Sequence, residues 1–385
     1  MYTGSSIIGT SNQERYLMWI PEKPYNDLPA LPPATDVETP AILKACITAS
    51  RHLAALHASA DLIPNQHILA NTLPLMEAQA SSEIENIVTT ADELFRYAAV
   101  ENTDTLSPAM KEAFGYRKAM RQGFELLEHS PLCTNTAVEI CRILRHTDAG
   151  VRSTPGCCLR NQSTGRVVYT PPEGEATIRE KLANWEQFMN GSADIDPLIR
   201  LAVGHYQFEA IHPFSDGNGR TGRILNILFL VQERLLSSPV LYLSRAIIRD
   251  KAAYYSRLNA VTANGAWEPF VLYMVNAVGD TAAWTHRRIT LVRQLLDETA
   301  AFMRERLGAA YSRELADLLF VWPYCRISNL VDAGIAQRQT ATRYLDALAE
   351  AGILDTARQG KTKLFVNKRL LALLLTDTDV WQPLK

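Results

Sequence analysis

A break in the middle of buried helix limits the fold of this chain more than any other feature. Residues 197–210 and the stretch TGRILNILFLVQERLL from Thr221 are both strongly apolar, the second almost all round. A helix apolar on every side lies inside a core. Between the two stands IHPFSDGNGRTGR, Ile211 to Arg223, which carries a histidine, a carboxylate, three glycines, an asparagine and two arginines. His212–Pro213 ends the first helix, because a residue before proline is steered out of the helical region. The chain therefore turns within the core and brings polar groups and free backbone there.

At 385 residues the chain exceeds what one hydrophobic core organises, which implies two or three domains. It is 47% hydrophobic and 21% charged, an ordinary globular balance. A formal charge of −2 gives no global field toward nucleic acid or membrane. The start MYTGSSIIGTSNQERYLMWIP lacks the pattern of a secretory signal. No apolar run reaches the roughly 18–20 residues of a membrane span. The six cysteines show no repeated spacing, and adjacent Cys157 and Cys158 lack the C-x-x-C or histidine partners of a zinc site. Reduced thiols and a cytoplasmic location are the expectation.

Residues 21–40 are proline-rich and aperiodic and predict an extended arm. Helical spacing begins at Ala41 and resumes after a break at Pro64–Asn65 in LPLMEAQASSEIENIVTTADELFRYAA, read as one segment. Further helices are predicted at 108–128, 134–148, 175–190 and 197–210, with helical patterns continuing to about residue 306. GCCLRNQSTGRVVYTPPEG alternates around Gly165, a hairpin signature. The tail reads as three short helices, with Ala333–Gly334 as the turn between the last two, and then two strands around Gly360. That order is a winged helix.

Gly217, Gly219 and Gly222 permit positive φ and close backbone approach just before the buried helix. Free N–H groups and the positive end of the helix dipole make an anion nest there. Arg220 and Arg223, read into the helix's first turn, oppose that dipole, a placement that a polyphosphate would justify. Asp216 beside a phosphate site suits Mg²⁺, which takes one or two protein carboxylates. His212 is placed to act as a general base near neutral pH. Against this stand plain readings: a structural histidine before proline, and arginines that meet a nearby acid. The residues together point to an enzyme that breaks a phosphoanhydride and passes a phosphorus group to a hydroxyl.

His212-Pro-Phe-Ser-Asp-Gly-Asn-Gly-Arg-Thr-Gly-Arg223 resembles the Fic-family motif H-x-F-x-[D/E]-G-N-G-R-x-x-R at every specified position. The flanking stretches DPLIRLAVGHYQFEAIHPF and LYLSRAIIRDKAAYYSRLNAV extend the resemblance to the multidomain bacterial Fic protein adenylyltransferases. The resemblance implies a mainly α fold: a helical Fic core with a β-hairpin flap, plus a C-terminal winged-helix domain. It implies an N-terminal arm and helical region at 1–105, a catalytic core at 106–300 and the winged helix at 301–385. The implied reaction moves AMP from ATP to a Tyr, Thr or Ser hydroxyl of a target protein or of the chain itself.

By the same resemblance His212 deprotonates the hydroxyl and Asp216 holds Mg²⁺. The amides of Gly217, Asn218 and Gly219 form the anion hole, with the Asn218 side chain at the α-phosphate. Arg220 and Arg223 address the outer phosphates, Phe214 anchors the loop in the core, and the hairpin aligns the target by strand addition. Tyr255 matches an adenine-pocket position; the alternative is an ordinary core tyrosine. Ser81, Glu85 and Asn86 match the inhibitory motif [S/T]-x-x-x-E-[G/N], which implies an N-terminal inhibitory helix whose Glu85 pairs bidentately with Arg223. The alternative for Glu85 is a solvated helix residue.

Within 326–369 eight basic residues face four acids, a net of +4 (8 − 4), which suits DNA phosphates as well as protein docking or dimer packing. QGKT at 359–362 imitates a P-loop, but position 355 is Asp and a strand follows. Two competing readings are a DNA-binding regulator with a vestigial nucleotide-sensing core, and a Fic enzyme that transfers another phosphorus group. The expected partners are ATP and a target protein, with DNA and a homodimer left open and no membrane.

Overall fold

Ile227, Leu228, Phe229 and Leu230 are fully buried, so the helix that carries them has no solvent side. The computed structural model describes residues 19–60, 67–98, 106–148, 150–161, 163–377, 379–381 and 383. The proposed break at Pro64–Asn65 lies outside the described residues.

The N-terminal helices are α1 (Pro40–Ala60), α2 (His67–Ile84) and α3 (Ala91–Ala98). The core adds α4 (Pro108–Leu126), α5 (Thr134–Arg145), α6 (Glu175–Gly191), α7 (Pro197–Ile211) and α8 (Asn218–Gln232). Then come α9 (Ser244–Arg249), α10 (Lys251–Asn264) and the 41-residue α11 (Trp267–Leu307). Between α5 and α6 lies the antiparallel pair β1 (Leu159–Arg160) and β2 (Val167–Tyr169). Gly165 takes φ +69 in its turn, which a side chain would disfavour.

Sequence signals account for the boundaries near the site. Asp196 Oδ1 accepts from Leu198 N at 2.8 Å, and Pro197 fills the first position of α7, where no N–H is missed. Ser107 and Pro108 open α4 in the same way. α8 packs against α2, α4, α5 and α7, so the polar corner between α7 and α8 is walled by helices. α11 packs along α1 and carries the C-terminal unit at its far end. The expected boundary at 300/301 falls inside this helix.

The C-terminal unit comprises α12 (Arg313–Val321), β3 (Tyr324–Cys325), α13 (Ile327–Asp332), α14 (Arg338–Glu350), β4 (Asp355–Gln359), β5 (Thr362–Val366) and α15 (Lys368–Leu375). Its strand order is β3-β5-β4, all antiparallel. The three short helices and the hairpin follow the expected order. The sequence reading lacked β3, a two-residue strand too short for periodicity, and α15.

The segment read as one helix, 73–99, is two helices among its described residues. α2 stops at Ile84, Asn86 takes a left-handed φ of +63, and a new helix begins at Ala91. Thr90 and Glu93 form a reciprocal cap: Glu93 N donates to Thr90 Oγ1 and Thr90 N to Glu93 Oε2, at 3.2 and 3.3 Å. Glu85 thus sits just past a helix end, not within a helix.

Candidate active site

His212 closes α7 in the left-handed region, φ +50 and ψ 58, with its N–H on the Phe208 carbonyl at 3.0 Å. This C-cap turns the chain out of α7 and into the loop. Burial, reinforced by the Arg152 charge, pushes the imidazole down to about 4; the Glu209 carbonyl and the Glu85 and Asp216 carboxylates oppose the shift. The ring is therefore neutral at ordinary pH and can accept a proton.

Arg152 holds this corner, and motif reading missed it. Its Nε donates to the His212 carbonyl at 2.8 Å, and Nη2 donates to the carbonyls of Pro172 and, at 3.3 Å, Ile211. Its own N–H bonds the Pro213 carbonyl at 2.9 Å. One buried guanidinium thus joins the end of α7 to the segment that follows β2. A cleft of about 300 Å³ opens beside it, lined by Glu22, Cys157, Cys158, Arg160 and Thr170.

The loop ends at Gly217, the N-cap of α8, at φ +84. Of the three motif glycines only this one needs positive φ; Gly219 and Gly222 are helical. Those two serve close approach instead. A Cβ on Gly219 would collide with Glu85 Oε1, and one on Gly222 would lie 2.7 Å from Glu209 Oε1. The first amides of α8 have no intrahelical acceptor, since the ladder starts with Thr221 N on Gly217 O at 2.9 Å. Gly217 N already donates to Asp216 Oδ1 at 2.6 Å, which leaves the nest to Asn218 and its successors.

The Asn218 side chain turns inward. Its Oδ1 accepts from Phe214 N and its Nδ2 donates to Phe214 O, both at 2.8 Å. The side chain expected at a phosphate is thus engaged by the Phe214 backbone. Phe214 is 1% exposed, the anchor expected of it.

Arg220, 2% exposed, pairs with Glu112 of α4 and reaches Asp216 Oδ1 at 3.4 Å. Asp216, about half exposed, also pairs with Arg145. No group of three or more potential metal ligands occurs among the described residues. Asp216 is thus a single carboxylate, which fits Mg²⁺ held mainly by phosphate oxygens and water.

Arg223 lies in the second turn of α8, not the first, and is 1% exposed. Its Nε donates to Ser81 Oγ at 2.8 Å, and Nη2 donates to Ser81 O and to Glu85 Oε1, both at 2.9 Å. Ser81 takes half of the fork, so the carboxylate contact is not bidentate. Burial opposes the guanidinium's charge, but Glu85 and the Tyr254, Glu209 and Tyr116 groups outweigh it and hold the pKa above its usual value. Asn86 Oδ1 accepts from Lys251 Nζ at 2.9 Å. The three inhibitory-motif residues are thus tied to α8 and α10.

Two further buried carboxylates escaped sequence reading. Glu209, one turn before His212, is pushed up to about 7 by burial, with Arg223 opposing. Glu77 on α2 is pushed up to about 6 by burial while it accepts from Tyr116 Oη and from Ser244 N and Oγ. Tyr255 is 43% exposed beside its buried neighbour Tyr254, so it is not an ordinary core tyrosine.

Three family descriptions match in tandem: "Fic/DOC family N-terminal" over 43–125, "Fic/DOC family" over 131–230, and "Protein adenylyltransferase SoFic-like, C-terminal domain" over 295–370. The chain belongs to the Fic/DOC family. Among its Fic relatives, protein adenylyltransferase fic-1 of Caenorhabditis briggsae is 35% identical over 108 residues, 28% of this chain and 20% of that protein. A probable protein adenylyltransferase of Aquifex aeolicus is 26% identical over 166 residues, 42% of this chain and 49% of that one. The matched segment thus spans a fifth to a half of these curated relatives. A Fic family protein from Desulfovibrio desulfuricans shares the fold at a TM-score of 0.56 and 20% identity, over 87% of this chain and 98% of that one. Fic-1 (residues 134–508) from Caenorhabditis elegans aligns at 0.51 and 20% identity, over 66% and 75%. No helix among the described residues is long and apolar enough to cross a membrane.

Proposed function

We propose that this protein moves AMP from ATP to a Tyr, Thr or Ser hydroxyl of a target protein, itself included, and that Glu85 restrains the reaction through Arg223. The observation that carries the reading is His212, held as the C-cap of α7 at the corner before a helix N-terminus flanked by two buried arginines. Several Fic relatives are named protein adenylyltransferases, which agrees with it.

The target hydroxyl gives its proton to His212 as its oxygen bonds to the α-phosphorus, and pyrophosphate leaves. Arg152 keeps the imidazole aimed by gripping the carbonyls around it. The free amides at the start of α8 receive phosphate oxygens, aided by the helix dipole. Arg220 and a released Arg223 take the outer phosphates. Asp216 would hold Mg²⁺, which neutralises phosphate charge when bound. The flap edge and the cleft beside Arg152 receive the target segment by strand addition. Tyr255 faces the adenine. The order of three short helices and the β4–β5 hairpin reads the C-terminal unit as a winged helix.

While Glu85 bonds Arg223 and lies against Gly219, its charge repels the γ-phosphate. ATP then cannot settle with its α-phosphate in line with the hydroxyl. Incubation with ATP labelled at the α or the γ position tests the reaction. Protein-bound label from the α position only is the expected result. Label from the γ position would make the enzyme a kinase and overturn the reading.

A further inference from the structure

Transfer of AMP uses nothing of the C-terminal unit, yet that unit has a charged face of defined shape. α14 buries Ala341, Leu345 and Leu348 and turns Arg338, Gln339 and Arg343 outward. The hairpin β4–β5 stands beside it, because Lys363 Nζ of β5 reaches Asp346 Oδ1 of α14 at 2.7 Å. Arg358 is the register partner of Lys363, so it lies on the same face of the sheet, and Lys361 follows the turn glycine Gly360, at φ +56.

The charge balance is uneven across this face. Of the four acids in 326–369, Asp346 and Asp355 are neutralised by Lys363 and Lys368. Arg338, Arg343, Arg358 and Lys361 are exposed and pair with no carboxylate among the described residues. Of the remaining acids, Asp332 ends α13, and Glu350 ends α14, about 18 Å along the helix from Arg338 and about 10 Å from Arg343.

We infer that the outer face of α14 and the β4–β5 hairpin form a duplex DNA interface. A helix of this width enters the major groove, and a hairpin beside it can follow the backbone. Protein docking is disfavoured because α14 exposes no large apolar side chain to form an interface core. Single-strand readers need exposed aromatic platforms, whereas Tyr324 and Phe365 are buried. The contacts expected are to phosphates, so sequence preference is weak and salt dependence strong.

The test is fluorescence anisotropy of the full chain with a labelled 30-base-pair duplex, without ATP, which keeps it apart from the transfer reading. Four released counterions predict a log–log salt slope of about −3.6, or roughly a hundredfold loss of affinity for a fourfold rise in salt. Arg338→Ala/Arg343→Ala/Arg358→Ala/Lys361→Ala should abolish binding with an unchanged melting temperature, while the control Arg121→Ala/Arg179→Ala should bind as wild type. Absence of binding at low salt, equal binding in the fourfold variant, or tighter binding to single-stranded RNA would each overturn the inference. Capture of a protein with no duplex binding would do the same.

Discussion

Arg223 donates to Glu85 Oε1 at 2.9 Å, and a Cβ on Gly219 would collide with that same oxygen. The Glu85 carboxylate therefore lies on the N-terminal turn of α8, where an anion nest opens. Glu85→Gly should raise self- or target modification roughly 5–150-fold, the usual range of a coupling between sites. Adding Arg223→Ala or His212→Ala should remove the gain. Incorporation of α-labelled ATP is the readout, and wild-type labelling by a folded Glu85→Gly protein would refute the restraint while leaving the catalytic reading intact.

In the proposed reaction His212 sets the pH dependence. A base must be neutral, and burial pushes this imidazole down to about 4. Activity in a Glu85→Gly background should thus stay level from about pH 6 to 8 and fall only as pH approaches 4. An acid limb near the ordinary histidine value, about 6.5, would contradict the buried-base account. His212→Ala should cost roughly 10²–10⁴-fold in rate while ATP binding persists.

Most helices, the hairpin and the polar corner before α8 were legible in the sequence because each is a local pattern: apolar period, turn glycine, proline stop. Residues that act across long separations were not. Arg152 lies sixty positions before His212 and carries no motif; only the fold shows that it grips three carbonyls of the corner and flap. Glu77 and Glu112 belong to no motif; packing alone buries the first and pairs the second with Arg220. The start of α3 was readable in retrospect, since T-A-D-E at 90–93 is a capping box. An apolar period running across it masked the signal.

Arg152→Lys tests whether the corner needs a fork. Lysine keeps the charge but cannot donate in fixed directions to separate carbonyls. The variant should fold, lose about 1–3 kcal/mol from carbonyls left unpaired, and drop kcat at least tenfold with KM for ATP nearly unchanged. A raised KM with normal kcat would move Arg152 from aiming the imidazole to binding nucleotide.

Asp216→Asn should shift the Mg²⁺ requirement upward, because a neutral amide is a poorer ligand for a hard cation. It should also loosen Arg145, which pairs with this carboxylate. A titration of transfer rate against Mg²⁺ reads the first effect. An unchanged midpoint would place the metal on other groups.

Glu77 makes the last prediction, through stability. It accepts from Ser244 N and Oγ at 2.8 and 2.5 Å and from Tyr116 Oη at 3.1 Å, all within the wall behind Ser81. Burial nevertheless pushes its pKa from the usual 4.5 up to about 6. A carboxyl raised on folding favours the folded state while protonated, so its contribution is complete below about 4.5 and is lost as pH rises through about 6. One proton over that window corresponds to about 2 kcal/mol. Glu77→Gln keeps the shape and cannot titrate. Urea unfolding of both proteins at pH 4.5 and 7 should therefore show the wild type gaining less, or losing more, than the variant as pH rises, by about that amount. Parallel pH profiles would show that Glu77 stays charged throughout, held by its three donors, and that burial is not the stronger influence.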